Sequence, residues 1–206
     1  MNKIIGFGEN VEGYNIPVLN EREIRATAGI LFLLMYTSIM IVILENNYLM
    51  LKYAILIFLT DFLIRVFINP KFSPMLIMGR MIVKNQVPEY VGAQQKKFAW
   101  MIGVIISTTM FILIGIFSLD NLSTTLLCYM CLIFLFFETA FGICIACKIY
   151  AKVYKEKAQY CPGEVCEINA RQEIQKISRA QKFIVLGFII YMITIGITFN
   201  NYFLTS

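Results

Sequence analysis

The stretch 27–44, TAGILFLLMYTSIMIVIL, holds no charged residue. A helix that crosses a bilayer needs about 20 mostly apolar residues, so this stretch predicts a transmembrane helix. Four further stretches are similar, at 48–68, 98–117, 122–147 and 183–203. They are too long and too uniformly apolar for the alternating strands of a membrane barrel. The sequence therefore predicts an all-α, polytopic transmembrane helix bundle with five spans, four in a core and one at the C-terminus.

The composition agrees with a membrane protein. Apolar residues make up 59% of the chain, charged residues 15%, and the mean hydropathy is +0.71, whereas an ordinary soluble domain carries roughly 25% charged residues. Histidine is absent, which excludes Ser-His-Asp and Cys-His triads, HExxH metal sites and histidine proton shuttles within this chain. The first 26 residues are polar and include four acids, so we do not expect them to be a signal peptide.

Basic residues predict the orientation. The segments 1–26, 65–97 and 148–182 contain 17 of the 18 lysines and arginines. Such segments lie on the cytoplasmic side, so the N-terminus is predicted inside and the C-terminus outside. The expected organisation is a cytoplasmic arm (1–26), a four-span core (27–147) with a cytoplasmic link (69–97), a basic link (148–182) with a CPGEVC turn, and a fifth span with an outer tail (183–206). Anionic lipid accounts for the net charge of +5, and we expect no nucleic-acid partner.

Local signals mark the helix boundaries at the cytoplasmic face. Asn20 precedes two acids and predicts an N-cap for the first helix. Pro70 predicts the end of span two, because the residue before a proline avoids helical backbone. Ser73, followed by proline, predicts the start of a short interfacial helix over 75–84. Trp100 is expected to anchor the third span at the membrane surface.

Three charged residues fall inside the predicted spans: Asp61, Arg65 and Glu138. Asp61 and Arg65 are four residues apart and can pair on one helix face. Glu138 lies at a depth that would let it meet either residue from another helix. Such a charged cluster is either a structural ion pair or a binding site that relays protons or ions or contacts a substrate.

The six cysteines form three closely spaced pairs: Cys128 and Cys131, Cys144 and Cys147, and Cys161 and Cys166. The first pair lies in apolar surroundings and favours packing. The second pair ends the fourth span beside Lys148, where a cation lowers a thiol pKa and raises reactivity. The third pair would lie on the same cytoplasmic side. A helical path puts Cys131 and Cys144 about 20 Å apart, and Gly142 is the obvious place for a break between them.

The two inner pairs allow three interpretations. Cys144 and Cys147 are redox candidates, with Cys161 and Cys166 as their partner pair. Alternatively, these four thiolates form a metal site that holds zinc or an iron–sulfur cluster. The third interpretation gives the thiols no chemical function.

Several motifs have a familiar arrangement: PVLNERE (17–23), FSP followed by GR (72–80), PEYVG before KKFAW (88–100), ETAFGICIACKIY (138–150) and YCPGEVCE (160–167). Together they resemble a family of bacterial integral membrane proteins known as domain of unknown function 4395. The resemblance covers most of 17–167 and implies a bacterial inner-membrane protein, without implying an activity. It directs attention to Glu138, Cys144 and Cys147. The pair at 128 and 131 and the fifth span lie outside the family pattern.

Three functions follow from these patterns. The first is thiol-based redox or sulfur handling at the cytoplasmic membrane face, with a cytoplasmic thiol protein as partner. The second is transport of a small solute or ion through the charged cluster. The third is a structural or assembly role in the lipid bilayer, with a homo-oligomer allowed. The residues favour no enzymatic assignment.

Overall fold

The computed structural model of the chain describes residues 7–154, apart from 13 and 120, and in the C-terminal part residues 179, 183–191, 193, 194 and 197. The chain divides into two compact units, Met1–Cys166 and Glu167–Ser206. The predicted CPGEVC turn, the cysteines Cys161 and Cys166, and parts of the basic link and of the fifth span lie outside the described residues.

Helix α1 spans Glu21–Glu45 and begins where the sequence predicted. The Asn20 side chain accepts a hydrogen bond from the Arg22 N–H at 3.1 Å, which satisfies one of the free amides of the first turn. The same oxygen accepts from the Glu89 N–H at 3.3 Å. The helix ends at Asn46, whose φ of 52° lies in the left-handed region that asparagine tolerates.

The corner after the second apolar stretch is also as predicted. Helix α2 spans Leu49–Leu63 and continues as a π-helical turn, Ile64–Ile68, before the extended backbone of Asn69. A 3₁₀ turn, Pro70–Phe72, leads to helix α3, Pro74–Val83. The Ser73 hydroxyl accepts from the Leu76 N–H at 3.1 Å and caps α3, so the predicted short helix is confirmed.

The region of the third and fourth predicted spans differs from the prediction at the C-terminal end of the fourth. Helix α4 spans Ala93–Met110 and continues as a π-helical turn, Phe111–Ile116. Helix α5 spans Leu122–Phe141, and helix α6 spans Ile145–Tyr154. The prediction of one helix through 147 was therefore wrong. Gly142 has a φ of 64°, and its N–H donates to the Glu138 carbonyl at 3.1 Å, which ends α5 with a left-handed residue.

A short β-ribbon joins two helix starts, in segments predicted to be irregular. Strand β1, Val18–Asn20, pairs antiparallel with β2, Tyr90–Gly92, and Leu19 lies opposite Val91. The Ala93 N–H extends the pairing by donating to the Pro17 carbonyl at 3.0 Å. Because each strand leads directly into a helix, the ribbon holds the first turns of α1 and α4 side by side.

Helix α1 packs against α2, α3 and α5, and α4 packs against α2 and α6. The core between them is apolar and includes Leu31, Met35, Phe58 and Met110. Trp100 is only 3% exposed, so the expectation of an anchor at the membrane surface was wrong. Its ring instead packs against the Phe7 ring and lies below the Arg65 guanidinium.

Three helices within the described part of the chain have the length and apolar character needed to cross a bilayer: Glu21–Glu45, Ala93–Ile116 and Leu122–Phe141. Their outer faces carry exposed apolar side chains such as Leu44, Ile105 and Leu126. A largely helical chain with such faces is a membrane protein, since exposed apolar area on this scale suits lipid and not water.

The crossing of α1 and α3 depends on Gly79. A Cβ atom at this position would lie 2.6 Å from the Glu23 carbonyl oxygen and would also contact the Thr27 hydroxyl. We expect Gly79→Ala to lower the free energy of unfolding by about 1–3 kcal/mol through overpacking. Reversible unfolding in detergent micelles measures this. Gly187→Ala is the control, because none of the described residues lies within 4 Å of its added Cβ. Equal stability of both variants would contradict the tight crossing.

Candidate functional site

A buried ammonium group forms the polar centre of the described bundle. The Lys96 side chain is fully buried, and its Nζ lies 2.8 Å from Glu21 Oε2 and 3.1 Å from Glu21 Oε1. The same Nζ lies 2.7 Å from Glu138 Oε1. Glu21 is fully buried, and Glu138 is 18% exposed. One cation therefore bridges two carboxylates from different helices.

The local folding rules explain this geometry. Glu21 is the first residue of α1, and Lys96 lies in the first turn of α4. The β-ribbon holds these two turns together. Glu138 lies in the last turn of α5, four residues before Gly142. All three charges therefore come from helix ends, at the same edge of the bundle.

Two cysteines lie next to this cluster, at the start of α6. Cys144 immediately precedes the helix, and its Sγ accepts the Cys147 N–H at 3.3 Å, in the manner of an N-cap side chain. The Cys147 thiol donates to the Gln95 carbonyl at 3.7 Å, which ties it to α4. Cys144 is buried and Cys147 is half-buried.

The electrostatics of the two thiols differ from the prediction. Lys96 interacts electrostatically with both sulfurs, and the side chain of Lys148, the cation expected beside them, lies outside the described residues. The hydrogen bond with Cys144 and burial raise the pKa of Cys147 well above its usual range, against the lowering effect of Lys96. These two effects favour the protonated form of the Cys147 thiol, which donates to the Gln95 carbonyl.

The break at Gly142 brings one of these thiols into contact with the inner bundle. A cavity of about 70 Å³ is lined by Cys131, Glu138 and Cys144, together with Arg65 and Trp100. Without the break, a regular helix would have carried Cys144 to the opposite face from Glu138. The cavity is large enough for a few water molecules. It places a carboxylate and a thiol in the same small space.

Asp61 and Arg65 form the predicted ion pair, and both are buried. The Ser73 hydroxyl donates to Asp61 Oδ1 at 2.6 Å and accepts from Arg65 Nε at 3.3 Å. The Met75 N–H also donates to Asp61 Oδ1, at 3.1 Å. The guanidinium carbon lies 5.0 Å from the centre of the Phe62 ring. This network is satisfied within the protein and joins α2 to α3.

Glu138 forms its ion pair with Lys96, a partner that was not predicted. It also interacts electrostatically with Arg65, and both line the cavity of about 70 Å³. Sequence reasoning placed Lys96 in a solvated link, since it precedes the uncharged stretch 98–117. One signal in the sequence could have identified Lys96 as a partner of Glu138. Lys96 begins the motif KKFAW and Glu21 lies in PVLNERE, and both motifs belong to the same family pattern as the motif that begins at Glu138.

The remaining cysteines divide by location. Cys128 and Cys131 are buried in α5 among apolar side chains. Cys161 and Cys166 lie outside the described residues, and with them half of the four-cysteine metal site. Within the described part of the chain, no group of three or more Cys, Asp or Glu side chains is arranged to hold a metal ion.

Removal of the buried cation tests the role of the cluster. Lys96→Met leaves two carboxylates without a partner, so we expect a loss of about 3–5 kcal/mol in the free energy of unfolding. Lys97→Met is the matched control, because Lys97 only covers the Phe7 ring and its loss costs less than about 1 kcal/mol. Unfolding in detergent micelles measures both. Adding Glu21→Gln and Glu138→Gln to Lys96→Met should restore part of the loss, and failure to do so would contradict a charge-based role.

The raised pKa of Cys147 predicts a pH dependence. Alkylation requires the thiolate, so the rate for Cys147 in the folded protein should keep rising about tenfold per pH unit between pH 7 and pH 9. The same peptide in the denatured chain should level off near its ordinary pKa of about 8.5. Timed iodoacetamide labelling followed by peptide mass spectrometry measures both rates. A plateau below pH 8 in the folded protein would contradict the raised pKa.

Comparison with known proteins gives one match. The model of the family described as domain of unknown function (DUF4395) matches residues 19–155, which include Glu21, Lys96, Glu138 and both cysteines of the site. No curated protein and no solved structure matches the chain. The match covers well over half of the chain, and the chain belongs to the DUF4395 family.

Proposed function

We propose that this protein carries out thiol–disulfide exchange through Cys144 and Cys147 at the cytoplasmic face of a bacterial inner membrane. The single observation that carries the proposal is the position of Cys144 before α6, where its sulfur accepts the Cys147 N–H beside Lys96. A helix start and a nearby cation are the two features that stabilise a thiolate. Cys144 is therefore the attacking residue.

The proposed topology has five spans. Helix α2 with its π-helical turn adds a second span to the three apolar helices, its charges at Asp61 and Arg65 neutralised by pairing. The stretch 183–203 adds the fifth. The distribution of basic residues supports a cytoplasmic N-terminus and an outer C-terminus. This orientation places the helix ends that carry Lys96 and Cys144 at the cytoplasmic side.

The exchange proceeds in two balanced steps. The Cys144 thiolate attacks a disulfide of a cytoplasmic thiol protein, forms a mixed disulfide and releases one partner sulfur as a thiolate. Cys147 then loses its proton and attacks the Cys144 sulfur, which forms the Cys144–Cys147 disulfide and releases the second partner thiolate. The partner gains two electrons, and the two cysteines lose them. The partner thiolate that leaves first is available to accept the Cys147 proton.

The two steps assign different tasks to the two sulfurs. Cys144 acts as the nucleophile, and its sulfur lies at the start of α6, where it accepts the Cys147 N–H. Cys147 needs to stay protonated until the mixed disulfide exists, and its raised pKa meets this need. The break at Gly142 gives Cys144 a non-helical segment of three residues in which to move toward a partner.

Equilibration of the purified protein with mixtures of reduced and oxidised glutathione tests the exchange. We expect Cys144 and Cys147 to form a reversible intramolecular disulfide, seen by mass spectrometry as a loss of about 2 Da in the peptide that holds both. In Cys147→Ser, the mixed disulfide with glutathione should accumulate on Cys144. In Cys144→Ser, Cys147 should remain largely unmodified.

The second CxxC pair in the same chain is an internal control. Cys128 and Cys131 have the same spacing but lie inside a continuous helix among apolar side chains, so they should stay reduced. Equal oxidation of both pairs would show that spacing alone drives the reaction. No oxidation at Cys144 and Cys147 across the glutathione range would overturn the proposed function.

A further inference from the structure

A second cavity, of about 200 Å³, lies between β1, the start of α1, the 3₁₀ turn and α3. Its charged and polar walls come from seven residues: Glu9, Asn20, Glu23, Asn69, Lys71, Arg80 and Tyr90. The cavity shares only Ile24 and Trp100 with the cysteine cavity. It is not used by the thiol chemistry proposed above.

The charges in this cavity are balanced but loosely paired. Glu9 Oε1 lies 3.5 Å from Lys71 Nζ and 3.7 Å from Arg80 Nη2, whereas tight charge-assisted hydrogen bonds measure about 2.7–2.9 Å. Lys71, Arg80 and Glu9 are about half exposed. The same Arg80 Nη2 lies 3.0 Å from Glu23 Oε2. Lys71 and Arg80 thus face Glu9 across a gap, and Glu23 pairs with Arg80.

This gap lies next to an apolar surface. Phe72, Ile77 and Met81 are exposed, and they neighbour Lys71 and Arg80 along the 3₁₀ turn and α3. Exposed apolar side chains bordered by basic residues are typical of a helix at the boundary between lipid tails and headgroups. The cavity is therefore positioned at the depth of lipid headgroups.

We propose that this cavity binds a phosphoethanolamine group. The phosphate would lie between Lys71 and Arg80, and the primary ammonium would donate to Glu9. A simple anion would meet the carboxylates of Glu9 and Glu23, and a simple cation would meet both basic residues, so a zwitterion matches the charges better than either. A volume of about 200 Å³ corresponds to roughly seven water molecules at ~30 Å³ each, which suits a group of this size.

The same chemistry has two sources, the headgroup of phosphatidylethanolamine and free phosphoethanolamine. Native mass spectrometry of the purified full chain in detergent measures retention of added phosphatidylethanolamine, phosphatidylglycerol and phosphatidylcholine, and binding of the free compound. Phosphatidylethanolamine should be retained most strongly, because phosphatidylglycerol lacks the cation and phosphatidylcholine lacks ammonium protons. Tighter retention of the lipid assigns the lipid as the source, and equal binding of free phosphoethanolamine assigns the soluble compound.

Two substitutions give opposite signatures. Glu9→Gln should weaken phosphatidylethanolamine retention about fivefold, but it should leave or strengthen retention of phosphatidylglycerol, since it removes a negative charge. Lys71→Gln should weaken retention of both lipids about fivefold. Retention of phosphatidylglycerol by Glu9→Gln also shows that this variant is folded.

Matched controls remove the same charges outside the cavity. Glu12 follows Glu9 in the N-terminal segment, Lys84 directly follows α3, and neither residue lines the cavity. Glu12→Gln and Lys84→Gln should both retain phosphatidylethanolamine as the parent does. Stronger retention of phosphatidylglycerol than of phosphatidylethanolamine by the parent would overturn the proposal. Unchanged phosphatidylethanolamine retention in Glu9→Gln would also overturn it. Neither result bears on the oxidation of Cys144 and Cys147, so the two proposals fail separately.

Discussion

One buried ammonium group sets the relative position of three helices. Lys96 belongs to α4, and its two carboxylate partners belong to α1 and α5. Helices in lipid gain little direction from apolar contacts, because lipid tails are as apolar as leucine. An ion pair restricts the relative position of two helices more strongly, since an unpaired charge in such surroundings is costly. The arrangement of the cavity that Glu138 and Cys144 line, and of Cys144 and Cys147 themselves, depends on this contact.

A second polar network, formed by Asp61, Arg65 and Ser73, also joins helices. Asp61 and Arg65 neutralise each other within α2, while Ser73 links both to the start of α3. The serine has two tasks, because its hydroxyl also caps α3. The side chain that begins α3 thus fixes that helix to α2. Close packing at Gly79 then fixes α3 against α1.

Local chemistry made much of the fold predictable. The caps at Asn20 and Ser73, the pairing of Asp61 with Arg65 and the apolar helices all follow from neighbours in sequence. The partner of Glu138 does not follow from neighbours in sequence. Lys96 is 42 residues away from Glu138, and it was expected in the link before the third span and not inside the bundle. The β-ribbon that moves Lys96 into the interior comprises two strands of three residues, too short for an alternating pattern. Gly142 was recognised as the point where a break would fall, but its φ depends on the folded context.

Gly142, the left-handed residue that ends α5, separates this helix from α6. Arg25 from α1 reaches the Thr139 carbonyl and holds the final turn of α5 in place. Beyond Gly142, α6 is attached through three non-helical residues and through its contacts with α4. Whatever α6 contacts therefore bears directly on the Cys144 sulfur, because three non-helical residues separate that helix from the last turn of α5.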